Sequence, residues 1–217
     1  MRQFEVSDCT LLTRMSGLPA AVNLRELRDR IYGCSGNVLY HHFCETPMVP
    51  FFDNPDYRND FAVWAKLHLG DRVLAERLGI IDPYIYTDIE RLRAQLLDIL
   101  DERLSEVPVV PAALPGSEFY FLEATTIAFD TGQRIEHPRE LRNAIQSMTT
   151  SSIYFHFLEA KRRPPAGIDD FSAWLADCGS DFEADIQALQ TIDYMFLTLS
   201  ELKVELAKLL AAKGELP

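Results

Sequence analysis

A mainly α-helical protein, built by tandem duplication of a unit of four to five helices, is predicted by three features of the sequence. One half matches the other without a gap, helix-capping residues recur at matching places, and apolar residues fall three and four apart. The symmetry expected of such a pair is an approximate two-fold axis. One short strand per unit would make the class α+β.

Shifting the chain by 114 positions lays residues 25–46 on residues 139–160. Arg25-Glu26-Leu27-Arg28 meets Arg139-Glu140-Leu141-Arg142, Ile31 meets Ile145, and Tyr40, His42, Phe43 and Glu45 meet Tyr154, His156, Phe157 and Glu159. Nine of 22 positions are identical, where average composition would give about one or two by chance. After a length change, Asp60-Phe61 and Trp64 meet Asp170-Phe171 and Trp174, and Ile81-Asp82 meets Ile192-Asp193. Ile89, Leu92, Leu96, Ile99 and Leu100 then fall on Leu199, Leu202, Leu206, Leu209 and Leu210.

Each unit opens with a lead segment. Residues 118–129 are rich in aromatic and β-branched side chains and predict a strand; residues 4–15 read as strand, then as helix after Ser7-Asp8. Asn23-x-x-Glu26 is a capping box for a helix to about Tyr32, and Pro138 with Glu140 opens its counterpart. A second helix carries the Tyr-x-His-Phe-x-Glu stretch. The third starts with Asp60 or Asp170 as cap, and the last with Thr87-x-x-Glu90 or Thr198-x-x-Glu201. Between the copies, residues 106–116 hold three prolines and a glycine, so an extended connection lying on the surface is expected. The units then run 1–106 and 118–217, with 107–117 as linker, packed as one globule.

Composition narrows the function classes. Of 217 residues 47% are hydrophobic and 25% charged, as in globular proteins. No apolar run nears the ~18 residues of a membrane span, and no signal-like stretch follows Arg2. Four scattered cysteines without a C-x-x-C suggest reduced thiols and a cytoplasmic protein. A formal charge of −12 argues against nucleic acid, which needs a field of Lys and Arg. The short run Lys161-Arg162-Arg163 reads as a solvated helix end.

One pattern carries chemistry: His-x-x-Glu, once per copy. Residues three apart on a helix are neighbours, which sets His42 beside Glu45 and His156 beside Glu159 as the catalytic candidates. Imidazole and carboxylate from two related helices can build a metal centre in a bundle, although the usual order there is Glu-x-x-His and further glutamates are required. The competing reading is a half-buried histidine satisfied by its glutamate. Each copy offers only two ligands, fewer than a metal needs, so no metal and no cofactor are expected. His41-His42-x-Cys44 would be a zinc pair, but Phe155 and Leu158 stand in the other copy. Tyr40 and Tyr154 are candidates to line a pocket. Phe51 and Phe52, in a loop with three prolines at 46–59, are candidates to cover a pocket or meet a partner. Trp64 and Trp174, with Phe61 and Phe171, are core.

The repeated Ser-x-x-Tyr-x-His-Phe and Asp-Phe-x-x-Trp stretches, at 37–45 with 60–64 and at 151–159 with 170–174, resemble a bacterial and archaeal family known only as a domain of unknown function. The resemblance spans nearly the whole chain. The first copy departs from it, having Asn37-Val38 where a serine pair is expected. It implies fold boundaries and no activity. A non-catalytic binding or regulatory protein with a protein or small-molecule partner, compatible with homo-oligomers, is the favoured function. An enzyme using the two His-x-x-Glu pairs, with or without metal, is the alternative.

Overall fold

Residues 3–48, 57–86, 88–163 and 167–210 are described by the structure, a computed structural model. The fold is mainly α with some β: ten α-helices and one two-stranded sheet among the described residues. It divides into two compact units, Leu12–Thr125 and Met1–Leu11 with Thr126–Pro217. No described helix is long and apolar enough to cross a membrane.

In the unit Leu12–Thr125, α1 (Leu24–Gly33) starts where the Asn23 carboxamide accepts the Glu26 N–H at 2.9 Å. Its Leu24, Leu27 and Ile31, three and four apart, are buried. Helix α2 (Gly36–Tyr40) runs into a π-turn (His41–Glu45) and a 3-10 turn (Thr46–Met48). Then come α3 (Asp60–Leu67), α4 (Arg72–Gly79) and α5 (Ile89–Glu106). The α5 stripe Leu92, Leu96, Ile99 and Leu100 is buried. Its Arg93 donates to the Ile31 carbonyl near the end of α1, where a cation complements the helix dipole. The proline-rich segment lies on this unit as expected. Leu24 N–H donates to the Pro111 carbonyl at 3.0 Å and Ala113 N–H to the Val22 carbonyl at 2.8 Å.

The other unit has α6 (Leu141–Ser147), α7 (Thr150–Ile153), a π-turn (Tyr154–Leu158) and a 3-10 turn (Glu159–Arg162). Helices α8 (Asp170–Cys178), α9 (Glu183–Gln190) and α10 (Leu199–Leu209) follow. The Thr198–Glu201 capping box forms as predicted, with the Glu201 N–H donating to Thr198 Oγ1 and the Thr198 N–H donating back to the Glu201 carboxylate. Thr87 lies outside the described residues, and Asp88 caps α5 in its place, accepting the Glu90 N–H at 3.0 Å.

Both lead segments form strand as expected, but the bounds of the second and the helix expected after Ser7-Asp8 depart from the sequence reading. Residues 4–15 form strand throughout, β1 (Phe4–Met15), and β2 is Leu122–Ile135. They are antiparallel: Val6 faces Thr131 and Ser16 faces Phe121. Each strand passes from one unit to the other, β1 after Leu11 and β2 after Thr125. The N-terminal lead segment therefore belongs with the helices of the second half, and the stretch up to Thr125 with those of the first. A division at the proline-rich linker misses this, because local periodicity says nothing about which helices a strand covers.

Candidate functional site

The repeated histidines sit where each unit receives its strand. In the unit Leu12–Thr125, the π-turn puts His42 under β2 with 2% of its surface exposed. Its Nδ1 lies 2.6 Å from Asp60 Oδ2, and its Nε2 accepts the Leu122 N–H at 3.0 Å. In the other unit His156, 3% exposed, has Nδ1 at 2.7 Å from Asp170 Oδ2, and its Nε2 accepts the Ser7 N–H at 2.9 Å. The Ser7 carbonyl also accepts from Ser152 Oγ at 2.8 Å; Val38, at the matching place, has no hydroxyl to offer. These bonds satisfy backbone groups on the side of each strand that faces away from its partner, where a bare edge would otherwise remain.

A phenylalanine three residues before each of these N–H groups completes the arrangement. Phe119 lies 4.9 Å from the His42 ring, stacks on Phe61 at 4.9 Å and meets Trp64 edge-on at 5.6 Å. Phe4 lies 4.9 Å from His156, 5.4 Å from Phe171 and 5.5 Å from Trp174. Burying one such ring contributes roughly 1.5–3 kcal/mol. Trp64 and Trp174, the fifth residues of α3 and α8, are both buried, and Trp64 Nε1–H donates to the Ser117 carbonyl at 2.8 Å.

The hydrogen bonds dictate the tautomer. A backbone N–H can only donate, so Nε2 must keep its lone pair and the ring proton sits on Nδ1, aimed at the carboxylate. Each imidazole thereby has both nitrogens engaged. Burial pushes His42 below its ordinary value near 6.5, against the opposing pull of Asp60. A ring held this way can neither bind a metal nor take up a proton without giving up the strand.

The predicted pairs of His42 with Glu45 and His156 with Glu159 are not what forms. Bonding i→i+5 widens a π-turn, so residues four apart align and residues three apart splay. Glu45 thus meets His41, at 3.0 Å and with both side chains buried. Glu159 meets Arg162 at 2.9 Å. The acids that face the histidines are Asp60 and Asp170, which by sequence alone read as helix caps. The caps are Asn59, accepting the Ala62 N–H at 2.8 Å, and Asp169, accepting the Ser172 N–H at 2.9 Å. Burial raises the Asp169 carboxyl above its ordinary value, against its bonds from Ser172. The recurrence of Asp one residue before Phe-x-x-Trp was the available signal, since a first helical residue leaves its side chain free to reach elsewhere.

Tyr154 is fully buried, while Tyr40 is half-buried. Phe51 and Phe52 lie outside the described residues. Lys161-Arg162-Arg163 is not a solvated end: Lys161 sits over the Phe157 and Tyr194 rings, and Arg163 donates to Asp170 at 2.8 Å and covers Phe155. No group of three or more His, Cys, Asp or Glu side chains that could hold a metal ion occurs among the described residues.

Residues 1–211 match the family of unknown function DUF5752, and the chain belongs to that family. It is similar to a solved structure described as the structure of OrfY from Thermoproteus tenax, with a TM-score of 0.79 and 27% identity over 96% of this chain and 94% of that one. No curated protein matches it.

Proposed function

We propose that this is a non-catalytic binding or regulatory protein, a tandem duplication whose two lead strands are exchanged between its halves. One observation carries the non-catalytic reading. Each histidine of the repeated motif spends Nδ1 on an aspartate and Nε2 on a backbone N–H of a strand. The residues with the strongest chemical look are therefore structural fasteners. The duplication is supported by the shared order of capped helices, π-turn and buried Phe-x-x-Trp helix in both units.

Imidazole 15N spectra and metal analysis of protein purified without chelators test this together. The His42 ring should show the neutral tautomer with the proton on Nδ1 from pH 6.5 to 8, and no stoichiometric transition metal should be present. A metal lost on His42→Ala or His156→Ala, or Nε2 protonation in that range, would overturn the proposal.

An enzymatic reading retains one specific observation. His41 Nδ1 is held by Glu45 in a buried pair, and its Nε2 makes no hydrogen bond among the described residues. An activity abolished by His41→Gln but kept by His42→Gln would favour it.

A further inference from the structure

The two units differ in how they treat one matching arginine. In α1, Arg28 is neutralised: its Nε and Nη2 donate to Asp101 at 2.8 and 2.9 Å, and its guanidinium lies 5.5 Å from the Tyr32 ring centre. The internal match places Arg142 of α6 at the same position, with Gln146 for Tyr32, Lys208 for Asp98 and Ala211 for Asp101. One carboxylate has become a cation and the other an alanine, in a chain whose net charge is −12.

Arg142 is half-buried, and its buried Nε has no hydrogen-bond acceptor among the described residues. Among the described residues no acid pairs with this guanidinium, a cost that the surrounding fold leaves unoffset. Beside it, α6 and α10 enclose a depression of about 370 Å³ lined by Arg142, Gln146, Lys203, Val204, Ala207 and Lys208. Among the described residues its lining has three cations and no carboxylate. Lys203 Nζ gives one proton to the Met148 carbonyl at 2.6 Å and keeps two others. Lys208 is mostly exposed and reaches the Glu205 carboxylate at 3.3 Å. Val204 and Ala207 supply an apolar floor, a combination usual for small-molecule sites.

We infer that this depression binds a phosphate monoester. The Arg142 guanidinium presents a planar donor fork to two phosphate oxygens, the two lysines balance the second charge, and Val204 and Ala207 take the organic part. This site goes beyond the reading of the histidines and shares no residue with them, so turnover at His41 or His42 would refute that reading and leave this one standing.

Calorimetric titration of the full chain with phenyl phosphate, inorganic phosphate and uncharged phenol tests it. The expected result is saturable binding of phenyl phosphate, weaker binding of phosphate and none of phenol, with affinity falling as salt rises. Arg142→Gln and Lys208→Asp should each reduce affinity at least tenfold while the unliganded melting temperature stays put, and Arg28→Gln should leave affinity unchanged. Sedimentation with vesicles containing phosphatidic acid separates the sources. Arg142-dependent binding to vesicles but not to soluble monoesters would assign the phosphate to a lipid headgroup and keep the site. No saturation by about 10 mM in any arm, or binding indifferent to both variants, would overturn it.

Discussion

Removing the His42 ring tests the fastening role most directly. His42→Ala leaves the Leu122 N–H without its acceptor, a loss of about 1–3 kcal/mol for a buried donor. It also removes the ring packed on Phe61 and Phe119 at 5.3 and 4.9 Å, worth about 0.5–1.5 kcal/mol. The Asp60 side chain is 21% exposed and recovers solvation, so its share is small. The sum is about 1.5–4.5 kcal/mol. Urea unfolding followed by tryptophan fluorescence measures it, and a Trp174→Phe background leaves Trp64, beside the lesion, as the reporter. The effect has a sign with pH. Burial lowers the His42 pKa in the fold, so below the unfolded value near 6.5 the unfolded state binds the extra proton. The stability carried by the neutral ring is complete above that value and is lost as pH falls toward the folded one, at about 1.4 kcal/mol per unit. The gap between parent and His42→Ala should therefore narrow between pH 7.5 and 5.5. A gap that widens on acidification, or one under about 0.5 kcal/mol at pH 7.5, would refute the reasoning.

Three further outcomes follow from the same geometry. A chain lacking residues 1–8 should lose hydrogen-exchange protection in α6, α7 and α8 while α1, α2 and α3 keep theirs, because Phe4 and Ser7 serve His156, Phe171 and Trp174; the reverse pattern would contradict the exchange of lead strands. Trp64→Ala and Trp174→Ala should each cost about 3–5 kcal/mol in urea titrations, and a variant as stable as the parent would rule out the core assignment. Asp169→Asn puts in α8 the cap that Asn59 already provides in α3. Since burial raises the Asp169 pKa, the substitution should leave stability at pH 7 equal or higher, and a loss above about 2 kcal/mol would speak against it.

What could be read from the sequence was what depends on local spacing. The α1 stripe, the Thr198–Glu201 capping box and the buried Phe-x-x-Trp pairs all follow from residues within one or two helical turns. The partners of the histidines were misread for two physical reasons. A π-turn breaks the three-residue neighbour rule on which His42–Glu45 rested, and no propensity scale marks it from composition. The true carboxylates lie 18 and 14 residues on, on another helix, so only the tertiary fold brings them in. The grouping of each lead strand was out of reach for the same reason: Phe4 and Phe119 carry strand signals, but nothing local says which helices each will cover.

The two-stranded ribbon also explains why histidine suits this place. A two-stranded ribbon is marginal in water, and its outer edges expose backbone groups that a third strand would normally satisfy. Here the third element is a helix, which has no spare backbone acceptor in mid-length, so a side chain must supply one. Asparagine or serine could accept the N–H but would leave most of the space beside Phe119 or Phe4 empty. Imidazole accepts at Nε2, donates at Nδ1 to a carboxylate that fixes its tautomer, and fills the gap with a flat ring. Phe43 and Phe157, next in sequence, are buried too. A basic catalytic histidine needs one nitrogen within reach of substrate; a fastener needs both turned inward. Both nitrogens of both rings are turned inward.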